Sequence, residues 1–215
     1  MERLVLSNKG IQLIEMYKQM AKEGYDTRRG DRVDDAFRDF ELRYYRSKLR
    51  QILNEYSIAT VLDYGCGGSD WETSGFDKSG RSAKEYFKLE NAYQYEPARN
   101  IDERQKVDCV ISFDVLEHIF IADVPLVLRD MFSCAKKLLV LNVACYPAAA
   151  KLPNGDNAHV TVRSPAWWKG MLDCISVEYP KVNILLICSK SWRNSSAVPI
   201  WQADNWQHNN SFITY

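Results

Sequence analysis

Val61-Leu62-Asp63-Tyr64-Gly65-Cys66-Gly67-Gly68-Ser69 is the stretch on which the reading of this chain turns. Thr60 to Tyr64 is a short β-rich run that stops at Gly65, and the glycines after it form a turn. Glycines in such a place let backbone approach a bound molecule that a Cβ would hold off. A lone Gly-x-Gly says little, because an ordinary strand-to-loop turn has the same look. Asp63, two positions before Gly65, says more. A turn that faces a pyrophosphate usually carries an apolar or neutral residue there, whereas a carboxylate suits a ligand with a positive end.

Downstream, Ser82-Ala83-Lys84-Glu85 has the form of a capping box and predicts a helix over 83–90. Ala92 to Glu96 predicts a strand closed by Pro97, and Val107 to Phe113 a continuous apolar strand of the kind buried in a parallel sheet. Asp123 is placed to cap a helix with Leu128, Met131, Phe132 and Ala135 on one face. Leu138 to Ala144 predicts the next buried strand, Pro165 opens a helix through Ala166-Trp167-Trp168, and Val177 and Val182–Cys188 offer final strands. Strand and helix alternate through most of residues 58–189, which predicts an α/β fold: a mostly parallel sheet with helices on both faces.

Upstream, Ile11, Ile14, Tyr17 and Met20 have helical spacing before Gly24, and a second periodic run covers roughly 33–56. The expected organisation is a helical cap or flank over 1–56, a βαβ domain over 57–193, and a polar tail over 194–215. That tail contains Trp201 and Trp206, and no periodicity in it predicts an element.

Two acids extend the candidate site. Glu96 ends the strand after the glycine turn, where a carboxylate can accept hydrogen bonds from both hydroxyls of a ribose. Asp114 and Val115 follow the Val107–Phe113 strand at the sheet's carboxyl edge, where open α/β sheets place ligands. Taken alone, Glu96 reads better as a solvated loop acid.

Together, Val61–Gly67, Glu96 and Asp114-Val115-Leu116-Glu117-His118-Ile119 resemble the class I S-adenosylmethionine-dependent methyltransferases. The first stretch is similar to that family's first motif. The third is similar to the segment after its fourth strand in many small-molecule members. Lys151-Leu152-Pro153-Asn154-Gly155-Asp156-Asn157-Ala158-His159, continuing to Trp167-Trp168, resembles a methyltransferase-like branch of bacteria and their phages. The resemblance covers roughly residues 58–190. It implies a Rossmann-like fold with an antiparallel last strand, S-adenosylmethionine as cofactor, and Asp63, Gly65, Cys66, Gly67, Glu96, Asp114 and Val115 as the residues that bind it. It also implies methyl transfer to an O, N or C atom of a small-molecule acceptor.

This sequence departs from the family in three places. Its third motif glycine falls on Ser69, and residues 70–81 are polar where a helix usually begins. Only Ala98 to Lys106 join the Glu96 strand to the next one, too few for a helix and a strand, which leaves Asp102 as a guess for the adenine-binding acid.

His159 is the expected catalytic residue. It lies in a loop beyond the strand ending near Ala144, and an imidazole with a pKa of ~6.5 can accept a proton near neutrality. It serves equally as a histidine that only bonds the loop backbone. His118 suggests a structural or cofactor-edge role, and His208 an exposed one. Trp167 and Trp168 read either as pocket walls or as one packed and one half-exposed indole.

Composition narrows the alternatives. At 215 residues, 46% hydrophobic and 26% charged, the chain matches one soluble globular domain that needs no disulfide or metal to hold its core. Lys plus Arg and Asp plus Glu are 28 each, so no global field attracts nucleic acid or anionic membrane. The Arg28–Arg50 stretch, interleaved with acids, reads as a solvated helix face. No apolar run nears the ~20 residues of a membrane span, and the N-terminus lacks a signal-peptide core, which leads to a cytoplasmic expectation. Six scattered cysteines form no C-x-x-C and no zinc-type cluster with His, so no metal is expected. Nothing in the sequence specifies an oligomer. Two rivals stand beside methyl transfer: a nicotinamide-dependent oxidoreductase, disfavoured by Asp63, and a binding or assembly protein that keeps the fold without turnover.

Overall fold

The computed structural model describes residues 4–34, 37, 40–192 and 194–203. In chain order, α1 (Asn8–Glu23) precedes a small hairpin, β1 (Tyr25–Asp26) and β2 (Arg32–Val33), and then α2 (Phe40–Glu55). There follow β3 (Thr60–Tyr64), α3 (Ala83–Phe87), β4 (Asn91–Glu96), β5 (Ile101–Asp102) and β6 (Val107–Phe113). The rest of the order is α4 (Val124–Cys134), β7 (Ala135–Ala144), α5 (Pro165–Ser176), β8 (Asn183–Ser191) and β9 (Asn194–Ala197).

One seven-stranded sheet has the order β5-β4-β3-β6-β7-β8-β9. Its five inner strands are mutually parallel, and short antiparallel strands, β5 and β9, form the two edges. The apolar runs of the inner strands follow from burial on both faces. Along β7, Leu139, Leu141 and Val143 pack in a cluster with α4 and α5, while Leu138 and Val140 pack in another with α2 and α3. The protein is therefore α/β, a mostly parallel sheet between two helical layers, compatible with a Rossmann-like arrangement.

From β3 the chain steps outward to β4 and β5 and then crosses back to β6 on the other side of β3. A crevice opens where the strand order reverses, between the carboxyl ends of β3 and β6. No helix among the described residues is long and apolar enough to cross a membrane.

Several local expectations change. The 33–56 helix starts at Phe40, because Arg32–Val33 pairs as β2 and Phe37 takes φ 63°. Consequently residues 28–33 form a hairpin rather than a helix face. The 83–90 helix stops at Phe87, where Lys88 turns left-handed. Ala135 leaves the α4 face and begins β7, and Val177 ends α5 instead of starting a strand. Residues 70–81 are stapled to the core by Trp71 and Phe76, 2% and 3% exposed. Asp123 makes no side-chain bond to its own helix; it accepts Ser7 N–H at 2.9 Å and Ser7 Oγ–H at 2.8 Å, fixing the start of α1. The tail holds an element after all, since β9 pairs with β8 and Trp201 pairs with Ile184. Trp206 and His208 lie outside the described residues.

Candidate functional site

A cavity of about 980 Å³ opens at the β3–β6 crevice. Its floor is the carboxyl edge of the sheet, contributed by Asp63, Gly65–Gly67, Glu96 and Asp114-Val115. α1 forms one wall through Leu13, Tyr17 and Met20, and the loop after β7 another through Tyr146 and His159. The volume lies within the range of ordinary ligand pockets. All eight expected site residues line this cavity or belong to the turn that does.

Packing within the protein itself requires the glycine turn. Gly65 has φ +79°, and a Cβ there would stand 2.5 Å from Val115 Cγ2, so the turns after β3 and β6 touch backbone to side chain. At Gly67, φ is +55° and a Cβ would meet the Phe37 carbonyl oxygen at 2.8 Å. Cys66 is buried, and burial together with Asp63 and Glu96 raises its thiol pKa, which disfavours the thiolate.

The two acids of the turn are engaged. Asp63 is 5% exposed and accepts Trp71 Nε1–H at 3.0 Å. Trp71 is a site-supporting residue that sequence reasoning missed; a single indole inside a polar stretch was its only signal. Glu96 Oε2 accepts Gly67 N–H at 2.9 Å, and Oε1 accepts Ala98 N–H at 2.9 Å. Burial raises its pKa while these two bonds oppose the shift. Each oxygen keeps a lone pair beyond the bond it makes, so Glu96 clamps the turn and can still accept from a ligand. Glu96→Ala leaves two amides without their acceptor and should cost about 1.5–3 kcal/mol of stability, read from the denaturant midpoint. Unchanged stability would mean that water replaces the carboxylate at no cost.

Asp102 does not reach the cavity. It sits on β5 in an ion pair with Arg104 at 2.7 Å, and Arg104 also holds Asp130 at 2.9 Å. Trp168 is fully buried in the α4–α5 core, with Trp167 packed against that core, and neither lines the cavity.

At the far side of the floor the structure brings together three residues that are separated in sequence. Asp114 takes φ +58° immediately after β6, which turns the chain into the single helical turn Leu116–His118. His159 arrives from the loop after β7. One ligand atom from each of Asp114, His118 and His159 lies within 4.8 Å of the others. The two imidazoles meet edge to face, centroids 4.7 Å apart. His159 Nδ1 lies 2.5 Å from the Tyr146 carbonyl oxygen, and His118 Nδ1 lies 3.1 Å from that of Ala158. A nitrogen bonded to a carbonyl carries the proton, so Nε2 of each ring holds the free lone pair. Tyr17 Oη braces the arrangement, donating to the Ala158 oxygen at 2.7 Å and lying 2.8 Å from His118 Nδ1.

Electrostatics keep this corner uncharged on its nitrogens. Burial, then His159, pushes His118 down to about 4, and burial also lowers His159. Glu117 is fully buried; burial, then Asp114, raises its pKa well above the usual carboxylate range. Its Oε1 accepts the Ala144 amide, and the carboxyl hydrogen-bonds the Asp114 side chain. His118, Tyr17 and Glu117 were not among the expected site residues, because their partners are up to 141 positions away.

No protein-family model matches this chain, and no curated protein or solved structure matches it either.

Proposed function

We propose that this protein transfers a methyl group from S-adenosylmethionine to a small-molecule acceptor bound in the same cavity. The observation that carries the reading is the set of carboxylates Asp63, Glu96 and Asp114 at the ends of three adjacent parallel strands, around a glycine turn that opens on about 980 Å³. The cofactor has a sulfonium and an ammonium group, which an acidic rim attracts. A nicotinamide dinucleotide needs the turn's amides for its pyrophosphate, and Gly67 N–H is already given to Glu96.

When bound, the cofactor supplies an electrophilic methyl on sulfur. The chain's own residues then align the acceptor and exclude water. α1, with Tyr17 and Met20 facing the cavity, closes it from above the sheet. His159 lies on the acceptor's side of the cavity, fixed through Nδ1 by the Tyr146 carbonyl and packed edge to face on His118, and helps to orient the acceptor there.

Calorimetric titration with S-adenosylmethionine, S-adenosylhomocysteine and NAD tests the reading. Both sulfur compounds should bind at one per chain and NAD should not. Saturable NAD binding without S-adenosylhomocysteine binding sinks the proposal. Cofactor binding with no transfer to any acceptor in a labelled-methyl screen would reduce it to a binding protein.

A further inference from the structure

Resting on that reading, we propose that Asp114, His118 and His159 hold a divalent transition-metal ion, and that the open positions of this ion take an oxygen of the methyl acceptor. The geometry has the parts of such a site. A carboxylate and two imidazoles place one ligand atom each within 4.8 Å of one another, on the floor of the cavity assigned to the substrates. Three protein ligands leave coordination positions open, as catalytic metal sites require. Imidazole nitrogen beside carboxylate oxygen suits manganese, iron, cobalt or zinc better than magnesium or calcium, which prefer all-oxygen sets.

Two observations beyond the cluster favour an ion. Both rings are oriented from behind by backbone carbonyls, Ala158 for His118 and Tyr146 for His159. This is the arrangement that fixes a metal-binding tautomer and aims Nε2 forward. The two imidazoles meet edge to face, and neither Nε2 has a hydrogen-bond partner among the described residues; a cation satisfies both.

The test uses the full chain, stripped with a chelator and titrated with Co²⁺ under calorimetry and visible absorption. One equivalent should bind and give the ligand-field bands of a nitrogen- and oxygen-ligated ion. His118→Ala and His159→Ala should each weaken Co²⁺ at least tenfold, and Asp114→Asn should do so too. Asn tolerates the left-handed backbone at 114, so that last variant keeps the turn intact and separates ligand loss from misfolding. Absence of stoichiometric binding in wild type, or wild-type affinity in all three variants, overturns the site. S-adenosylhomocysteine titrated into the same samples separates this failure from that of the methyl-transfer reading. Cofactor binding without Co²⁺ binding removes the ion alone; Co²⁺ binding without cofactor binding keeps the ion and removes the acceptor role assigned to it.

Discussion

Gly65→Val will abolish S-adenosylhomocysteine binding at concentrations that saturate wild type, and it will lower stability by about 2–5 kcal/mol. Two costs combine at this position. The residue has φ +79°, which a β-branched side chain resists by about 1–2 kcal/mol, and its Cβ would stand 2.5 Å from Val115 Cγ2. Relief requires the turn after β3 and the turn after β6 to separate, and both line the crevice where the cofactor is placed. Far-UV circular dichroism checks that the sheet persists, and calorimetry reads the binding. A folded variant that binds S-adenosylhomocysteine as wild type does would move the cofactor off this turn.

Trp201→Ala should lower the unfolding free energy by about 3–5 kcal/mol, measured from the urea midpoint. The indole is 1% exposed and sits in the α4–α5 cluster beside Ile184, Leu186 and Trp168. Its backbone exchanges two hydrogen bonds with Ile184, at 2.8 and 3.1 Å. Nε1 has no hydrogen-bond partner among the described residues, although the Lys169 ammonium lies 5.0 Å over the ring. Truncation relieves that orphaned donor, which moves the expected loss toward the lower end of the range. A loss under about 1 kcal/mol would show that the segment after β9 does not pack on the sheet in solution.

The contrast between these two positions explains what the sequence discloses. Gly65 is legible because its meaning is local: a strand, an acid and a turn within nine residues. The inner strands are legible for the same reason, since burial on both faces demands continuous apolar runs such as Val107–Phe113. Trp201 is not, because Val198-Pro199-Ile200-Trp201 is too short an apolar run to show a period. Only the β8 edge gives it a partner. Asp123 misleads in the opposite way. It occupies the position of a helix cap, and its carboxylate goes instead to Ser7, 116 positions away. The candidate site divides along the same line. Asp63, Gly65, Gly67, Glu96 and Asp114 stand in short motifs, and all of them line the cavity. The grouping of His118 with His159 depends on a loop whose path no spacing encodes, so the sequence supports no metal where the structure gathers a carboxylate and two imidazoles.

The Ser7–Asp123 contact also bears on how the cavity comes into being. α1 is the first helix of the chain, yet its anchor lies beyond β6, so its docking closes a loop of more than half the protein. Closing so long a loop costs chain entropy before any contact repays it, and such contacts form late in folding. The sheet can therefore exist without the cavity, whereas the cavity cannot exist without the sheet. Opening runs in the reverse order: access to the floor of the crevice is set by the local stability of one N-terminal helix, its two hydrogen bonds to Asp123 and those of Tyr17 with Ala158 and His118.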